Sequence, residues 1–150
     1  MKKVFVFCFL ALALLACDKD KFETVPQVEI KSLSPDVVVN DGFFSLTATI
    51  RDKEGDLQDT ILLVQKYFVV GAPNHLTVDT SRFSLSDFGF PNTSEIELQA
   101  NFSYNEIRDR YIYVSGFNTD REYAVGIIAK DKANNRSEYR ESSRVLLKKL

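Results

Sequence analysis

Glu95-Ile96-Glu97-Leu98-Gln99-Ala100-Asn101-Phe102-Ser103-Tyr104 decides the fold. Apolar and polar residues alternate without a break. In an extended chain successive side chains point to opposite faces, so Ile96, Leu98, Ala100, Phe102 and Tyr104 share one side. The stretch predicts a strand with one face buried and one in water. The same period of two governs Phe44, Leu46, Ala48 and Ile50, which alternate with Ser45, Thr47, Thr49 and Arg51, and it returns in Tyr123, Val125, Ile127 and Ala129. Val28 to Leu33, Thr60 to Val70, a piece within Leu76 to Leu85, and Ser143 to Leu147 complete the strand candidates. Turn chemistry separates them: Ser34-Pro35-Asp36, Asn40-Asp41-Gly42, the acidic run Asp52 to Asp56 around Gly55, Gly71-Ala72-Pro73-Asn74, Pro91-Asn92 and Asn134-Asn135. Only Tyr104 to Tyr111 has room for a short helical turn.

About seven strands within the roughly 124 residues from Gln27 to Leu150 predict one all-β domain, an immunoglobulin-like antiparallel β-sandwich. The last third is more specific. Thr119-Asp-Arg-Glu-Tyr123-Ala-Val125-Gly-Ile127-Ile-Ala129-Lys-Asp131-Lys-Ala-Asn134-Asn135-Arg-Ser137 resembles the F and G strands of fibronectin type III and related bacterial Ig-like domains. In those families a Tyr opens strand F, alternate apolar residues follow, a small Ala sits six places on, and an Asp-x-x-x-Asn-x-Ser turn leads into strand G. The resemblance implies a buried Tyr123 whose hydroxyl is satisfied by nearby backbone. The chain has no Trp, so its core must be built from Phe, Tyr and aliphatic residues.

The N-terminus places the domain. Met1-Lys2-Lys3, an apolar run from Val4 to Leu15, then Ala16-Cys17 have the parts of a secretion signal: a basic start, an apolar core of roughly a dozen residues and a small residue before the cut. That run falls short of the ~20 residues a spanning helix needs. The cysteine after the small residue resembles the lipobox of bacterial lipoproteins, which implies cleavage after residue 16 and acylation of Cys17. The expected organisation is a signal peptide (1–16), a lipidated Cys17 with a polar tether to Pro26, and the sandwich (27–150). Fully extended, the tether reaches about 30 Å. The resemblance implies a lipid-anchored protein of the cell envelope, expected at the outer membrane, with the membrane as its first partner. Asp18-Lys19-Asp20-Lys21 resembles short charged export signals and reads equally as a solvated spacer, so periplasm-facing and outward-facing placements both stand.

Processing removes Cys8 and consumes Cys17, leaving a domain without thiols. Cysteine nucleophiles, disulfides and Cys-based zinc sites are then excluded. The processed chain keeps 17 basic and 21 acidic residues, a net charge of −4. With no basic run before Lys148-Lys149, nucleic acid is not an expected partner.

Sandwich topology brings the B–C loop (Asp52 to Asp59) and the F–G loop (Asp131 to Arg136) to one end. Asp52, Glu54, Asp56, Asp131, Asn134 and Asn135 would converge there and offer the oxygen ligands calcium takes six to eight at a time. The same residues read as ordinary acidic turns. Apart from calcium, no cofactor is expected. The opposite end holds the connection after Gly71 and the E–F connection, Asn105 to Asn118, carrying Arg108, Arg110, Tyr111, Tyr113 and Phe117. Tyr and Arg are the residue types that carry interface energy. Tyr111 to Val114 reads equally as an extra edge strand.

Catalysis finds little support. His75 is the only histidine, with Ser81, Ser84 and Ser86 nearby but none in a Gly-x-Ser-x-Gly elbow. A non-enzymatic binding module for an envelope protein or a glycan, and a structural spacer without a ligand of its own, are the two expectations the sequence carries.

Overall fold

The computed structural model describes residues 25–57, 60–85 and 93–150. The expected signal peptide, Cys17, the tether up to position 24, the end of the B–C loop (58–59), Ser86 and the Pro91-Asn92 turn lie outside the described residues. Ten strands follow in order: β1 Gln27–Ser34, β2 Val37–Val38, β3 Phe43–Arg51, β4 Thr60–Val69, β5 His75–Ser84, β6 Glu95–Tyr104, β7 Ile112–Val114, β8 Arg121–Lys130, β9 Arg140–Glu141 and β10 Val145–Leu147. One sheet has the order β1-β3-β6-β7; the other runs β2-β10-β8-β4-β5, with β9 also against β8.

The alternating stretch is β6, paired antiparallel with β3 from Phe43↔Ser103 to Arg51↔Glu95. That register sets Phe44 opposite Phe102, Leu46 opposite Ala100 and Ile50 opposite Ile96, so the apolar sets of both strands face the same way. β4 runs antiparallel to β8 from Thr60↔Lys130 to Val69↔Arg121. The two sheets share one core, in which Leu46, Ile50, Phe102 and Tyr104 from the first meet Ile61, Leu63, Tyr123 and Ile127 from the second. Phe44 stacks on Phe102 with ring centroids 4.9 Å apart and meets the edge of Tyr123 at 5.4 Å. Each such side chain contributes about 1.5–3 kcal/mol by leaving water, and the tilted ring geometries suit the aromatic quadrupole.

Two pairings correct the all-antiparallel expectation. β2 lies parallel to β10 (Val37↔Leu146), and β7 lies parallel to β6 (Tyr113↔Ser103). Among the described residues the strand count also rises from about seven to ten. The first strand divides at Ser34-Pro35-Asp36, where the chain leaves β3 in one sheet and reappears as β2 in the other. Proline has no N–H for the ladder, so pairing stops there. The Tyr111 to Val114 stretch supplies β7. The last strand is broken by serines that bond to the ladder through their hydroxyls. Ser137 accepts the Ala129 N–H at its Oγ (2.9 Å) and donates its own N–H to Ala129 O (2.9 Å). Ser142 does the same to Val125, at 3.1 and 3.0 Å. A hydroxyl standing in for a carbonyl satisfies the neighbour but shifts the chain, so β9 and β10 are separate pieces.

Candidate functional site

β3 and β8 belong to opposite sheets and finish at the same end of the molecule. The residue after each is an aspartate, Asp52 and Asp131, and Asp56 joins them from the loop after β3. One carboxylate oxygen from each lies within 4.8 Å of the other two. Asp52 is 3% exposed and Asp131 0%, and Asp56 is half-buried.

Local backbone chemistry explains the convergence. Gly55 takes φ +73°, a left-handed conformation open to glycine, and closes the Asp52–Asp56 turn. Its N–H donates to Asp52 O at 3.3 Å, and the Asp56 N–H donates to Asp52 Oδ2 at 3.4 Å. Asp131 organises the other loop, accepting the Asn135 N–H at Oδ1 and the Asn135 side-chain amide at Oδ2, both at 2.7 Å. The Lys132 N–H donates to Asp56 O at 3.3 Å and ties the two loops together.

Burial pushes the Asp52 carboxyl above the ordinary carboxylate range, the nearby Asp56 carboxyl adds to the shift, and the charge of Asp131 adds less; the Asp56 N–H works in the other direction. Oδ1 of Asp52 and Oδ1 of Asp56 are both buried and have no hydrogen-bond partner among the described residues. Of the oxygen donors expected from the sequence, the structure therefore assembles Asp52, Asp56 and Asp131. Glu54 and Asn134 are exposed, and Asn135 is committed to holding Asp131.

At the opposite end the connection after β6 folds over the start of β3. Phe43 and Tyr111 tilt against each other with centroids 5.2 Å apart, at 41% and 40% exposure. The Arg108 guanidinium lies over the Phe43 ring at 4.6 Å and is held from the side by Glu106. Tyr113 is exposed on β7. Arg110, at φ +65°, is exposed and pairs with Asp109 at 3.8 Å. It also lines the mouth of an apolar slot of about 390 Å³ between β4–β5 and β6–β7, walled by Ile61, Leu63, Phe83, Leu85 and Leu98. Phe117 points inward, half-buried against the core with its ring 5.2 Å from that of Tyr67. The sequence reading missed Phe43. Its signal was available: two consecutive phenylalanines in an alternating strand must put one on the solvent face.

His75 opens β5 and is exposed, whereas Ser81 and Ser84 lie six and nine residues further along the same strand. At about 3.3 Å per residue that is a separation of ~20 Å or more, too far for a Ser–His pair.

No family model matches the chain, and no curated protein shows significant similarity to it. Among solved structures, the sporulation control protein Spo0M from Bacillus subtilis aligns over 84% of this chain and 50% of its own, at 10% identity and a TM-score of 0.45. The alkylpurine DNA glycosylase AlkC from Pseudomonas fluorescens, bound to DNA containing an abasic site analog, aligns over 92% of this chain and 33% of its own, at 10% identity and 0.42. A CARDB domain from Pyrococcus furiosus, in complex with di-metal ions, aligns over 84% and 97%, at 12% identity and 0.28. The chain thus spans half the length of the first and a third of the second. Likenesses this distant carry no argument about what the protein does.

Proposed function

We propose that this chain is a lipid-anchored protein of the bacterial cell envelope, held at the outer membrane through Cys17, whose immunoglobulin-like sandwich is a non-enzymatic binding module. The observation that carries the reading is the exposed Phe43–Tyr111 pair with Arg108 laid over it, at the end remote from where the chain joins the domain. Gln27 pairs with Arg51 beside the acidic cluster, while Phe43 begins the same strand at its other end. A strand of nine residues puts about 30 Å between the two. Exposed aromatics combined with arginine supply rigid contact area and directed charge, the combination that dominates interface energetics. The apolar run Val4 to Leu15 followed by Ala16-Cys17 supports the anchor.

Photocrosslinking in intact cells tests the proposal. A benzophenone side chain at position 111 is expected to trap a discrete envelope partner, and the same group at the exposed Lys53, beside the anchor end, is not. Equal labelling from both positions, or none from either, rejects the binding face. Mass spectrometry of the native product tests the anchor separately, and an unmodified residue 17 rejects it.

A further inference from the structure

We infer that Asp52, Asp56 and Asp131 bind one calcium ion that clamps the two sheets together at the anchor end, independently of whatever the far end recognises. Three carboxylates converge within 4.8 Å, and two of them bring a buried oxygen that no donor among the described residues satisfies. Asp52 is the decisive member. It is 97% removed from solvent, and its carboxylate belongs to the convergent set. Among the described residues its Oδ2 accepts only the long bond from the Asp56 N–H, and its Oδ1 has no hydrogen-bond partner. A buried, unpaired carboxylate oxygen is costly unless protonated or matched by a positive charge, and two neighbouring acids sharpen that requirement.

The donor set selects the ion. It holds only hard oxygen atoms, with no imidazole and no thiolate, which favours calcium or magnesium over zinc or copper. Opposite ligands of a calcium ion stand about 4.6–5.2 Å apart, since each bond is 2.3–2.6 Å, and the three oxygens fit within that span. Magnesium demands a tighter, near-ideal octahedron, whereas these three groups come from two loops with different internal constraints. The hydrogen bonds from Asn135 to Asp131 do not compete, because each carboxylate oxygen has a second lone pair; they orient the ligand in the way outer-shell partners do. Asp52 follows a strand of one sheet and Asp131 a strand of the other, so one ion bridges both layers.

The full lipidated chain, extracted in detergent and stripped with chelator, provides the test by calorimetric titration with calcium chloride and by thermal unfolding. One ion per chain is expected, and calcium at a hundredfold over Kd should raise Tm by about 5–10 °C. Asp56→Asn should weaken affinity at least tenfold, and Glu54→Gln, an exposed neighbour, should leave it unchanged. Should Asp56→Asn fail to fold, Asp52→Asn takes its place. Identical melting in calcium and chelator overturns the inference, as does unchanged affinity in the aspartate variant. An equal Tm rise from the same concentration of magnesium overturns the choice of calcium.

Discussion

Tyr123 donates its hydroxyl hydrogen to Gln65 Oε1 at 2.8 Å, inside the core and across the adjacent strands β8 and β4. Gln65, only 4% exposed, passes the chain of bonds on from Nε2 to Ser81 Oγ at 3.2 Å. The acceptor is thus a side chain, not the backbone group that the fibronectin-like resemblance implies. The backbone bond of that kind is made instead by Tyr104, whose hydroxyl donates to Lys148 O at 2.8 Å. Tyr123→Phe strands Gln65 Oε1 in an apolar interior, and a buried unsatisfied acceptor costs about 1–3 kcal/mol. Urea denaturation should show that loss with an unchanged m-value. The double variant Tyr123→Phe/Gln65→Leu should recover part of it, because both polar partners then leave together.

Gly126 is needed for a different reason, which is space. A Cβ built there would stand 2.1 Å from the Tyr139 ring, which covers the outer face of β8. Tyr139 in turn holds Lys66 over its face at 4.5 Å and bonds Glu141. Gly126→Ala should displace the ring and release both contacts. Since Tyr139 is partly exposed and can swing outward, the expected loss is moderate, ~1–2 kcal/mol. Tyr139→Ala in the same background should cancel most of the remaining steric penalty, as read by thermal melting of the four proteins of the cycle.

Glu122 ties the end of the second sheet together. It accepts from Arg144 Nη1 at 2.8 Å and from the Gly71 N–H at 3.2 Å, while the Arg144 guanidinium sits 3.6 Å over Phe68 and bonds the carbonyls of Ala72 and Pro73. The Arg144 hydrogen bond is the main cause that lowers the Glu122 carboxyl below its ordinary 4.5, with the Gly71 N–H second. A carboxyl lowered by folding stabilises the protein fully above its unfolded value, and that stabilisation is lost as pH falls through the lowered one. Glu122→Gln should therefore melt below the parent at pH 7. The gap should hold down to about pH 5, narrow as pH falls further, and vanish once the parent carboxyl is protonated. A gap that does not change with pH would assign the effect to packing.

The parts legible in the sequence are those where side-chain period and turn chemistry agree. Strands β3 and β6 fall where alternation ends them, at Phe43, Arg51, Glu95 and Tyr104, because an apolar face has only one way to meet the core. The sandwich topology expected from the sequence brings six oxygen donors, Asp52, Glu54, Asp56, Asp131, Asn134 and Asn135, to one end, and only tertiary geometry selects the carboxylates of Asp52, Asp56 and Asp131 from them. The short strands β2 and β9 were hidden because two residues carry no period, and β7 was legible as one of two readings of Tyr111 to Val114; the pairing of all three is decided by which edge the chain passes. Phe117 differs from the other candidate contact residues for a related reason. An aromatic in a loop looks like a contact residue until the loop is known to fold over Tyr67, and only tertiary geometry supplies that.

Phe43 and Tyr111 hold the fold less than the fully buried rings Phe102 and Tyr123 do, which makes them usable probes of binding. Each ring keeps about two-fifths of its surface in water, so its removal forfeits only part of the 1.5–3 kcal/mol that full burial brings. Their mutual tilt adds about 0.5–1.5 kcal/mol, and Arg108 over Phe43 about 0.5–1 at such an exposed position. By these figures Phe43→Ser should lose ~2–4 kcal/mol and Tyr111→Ser ~1.5–3 kcal/mol, and both are expected to stay folded, which thermal melting checks before capture is compared. If the pair is the centre of a contact surface, the same changes should weaken capture of the crosslinked partner by tenfold or more, because hot-spot aromatics cost 2 kcal/mol and upward when truncated. Lys53→Ser, at the other end, should leave capture unchanged. Retained capture in both aromatic variants, measured at matched expression, would mean that this end of the sandwich is merely surface.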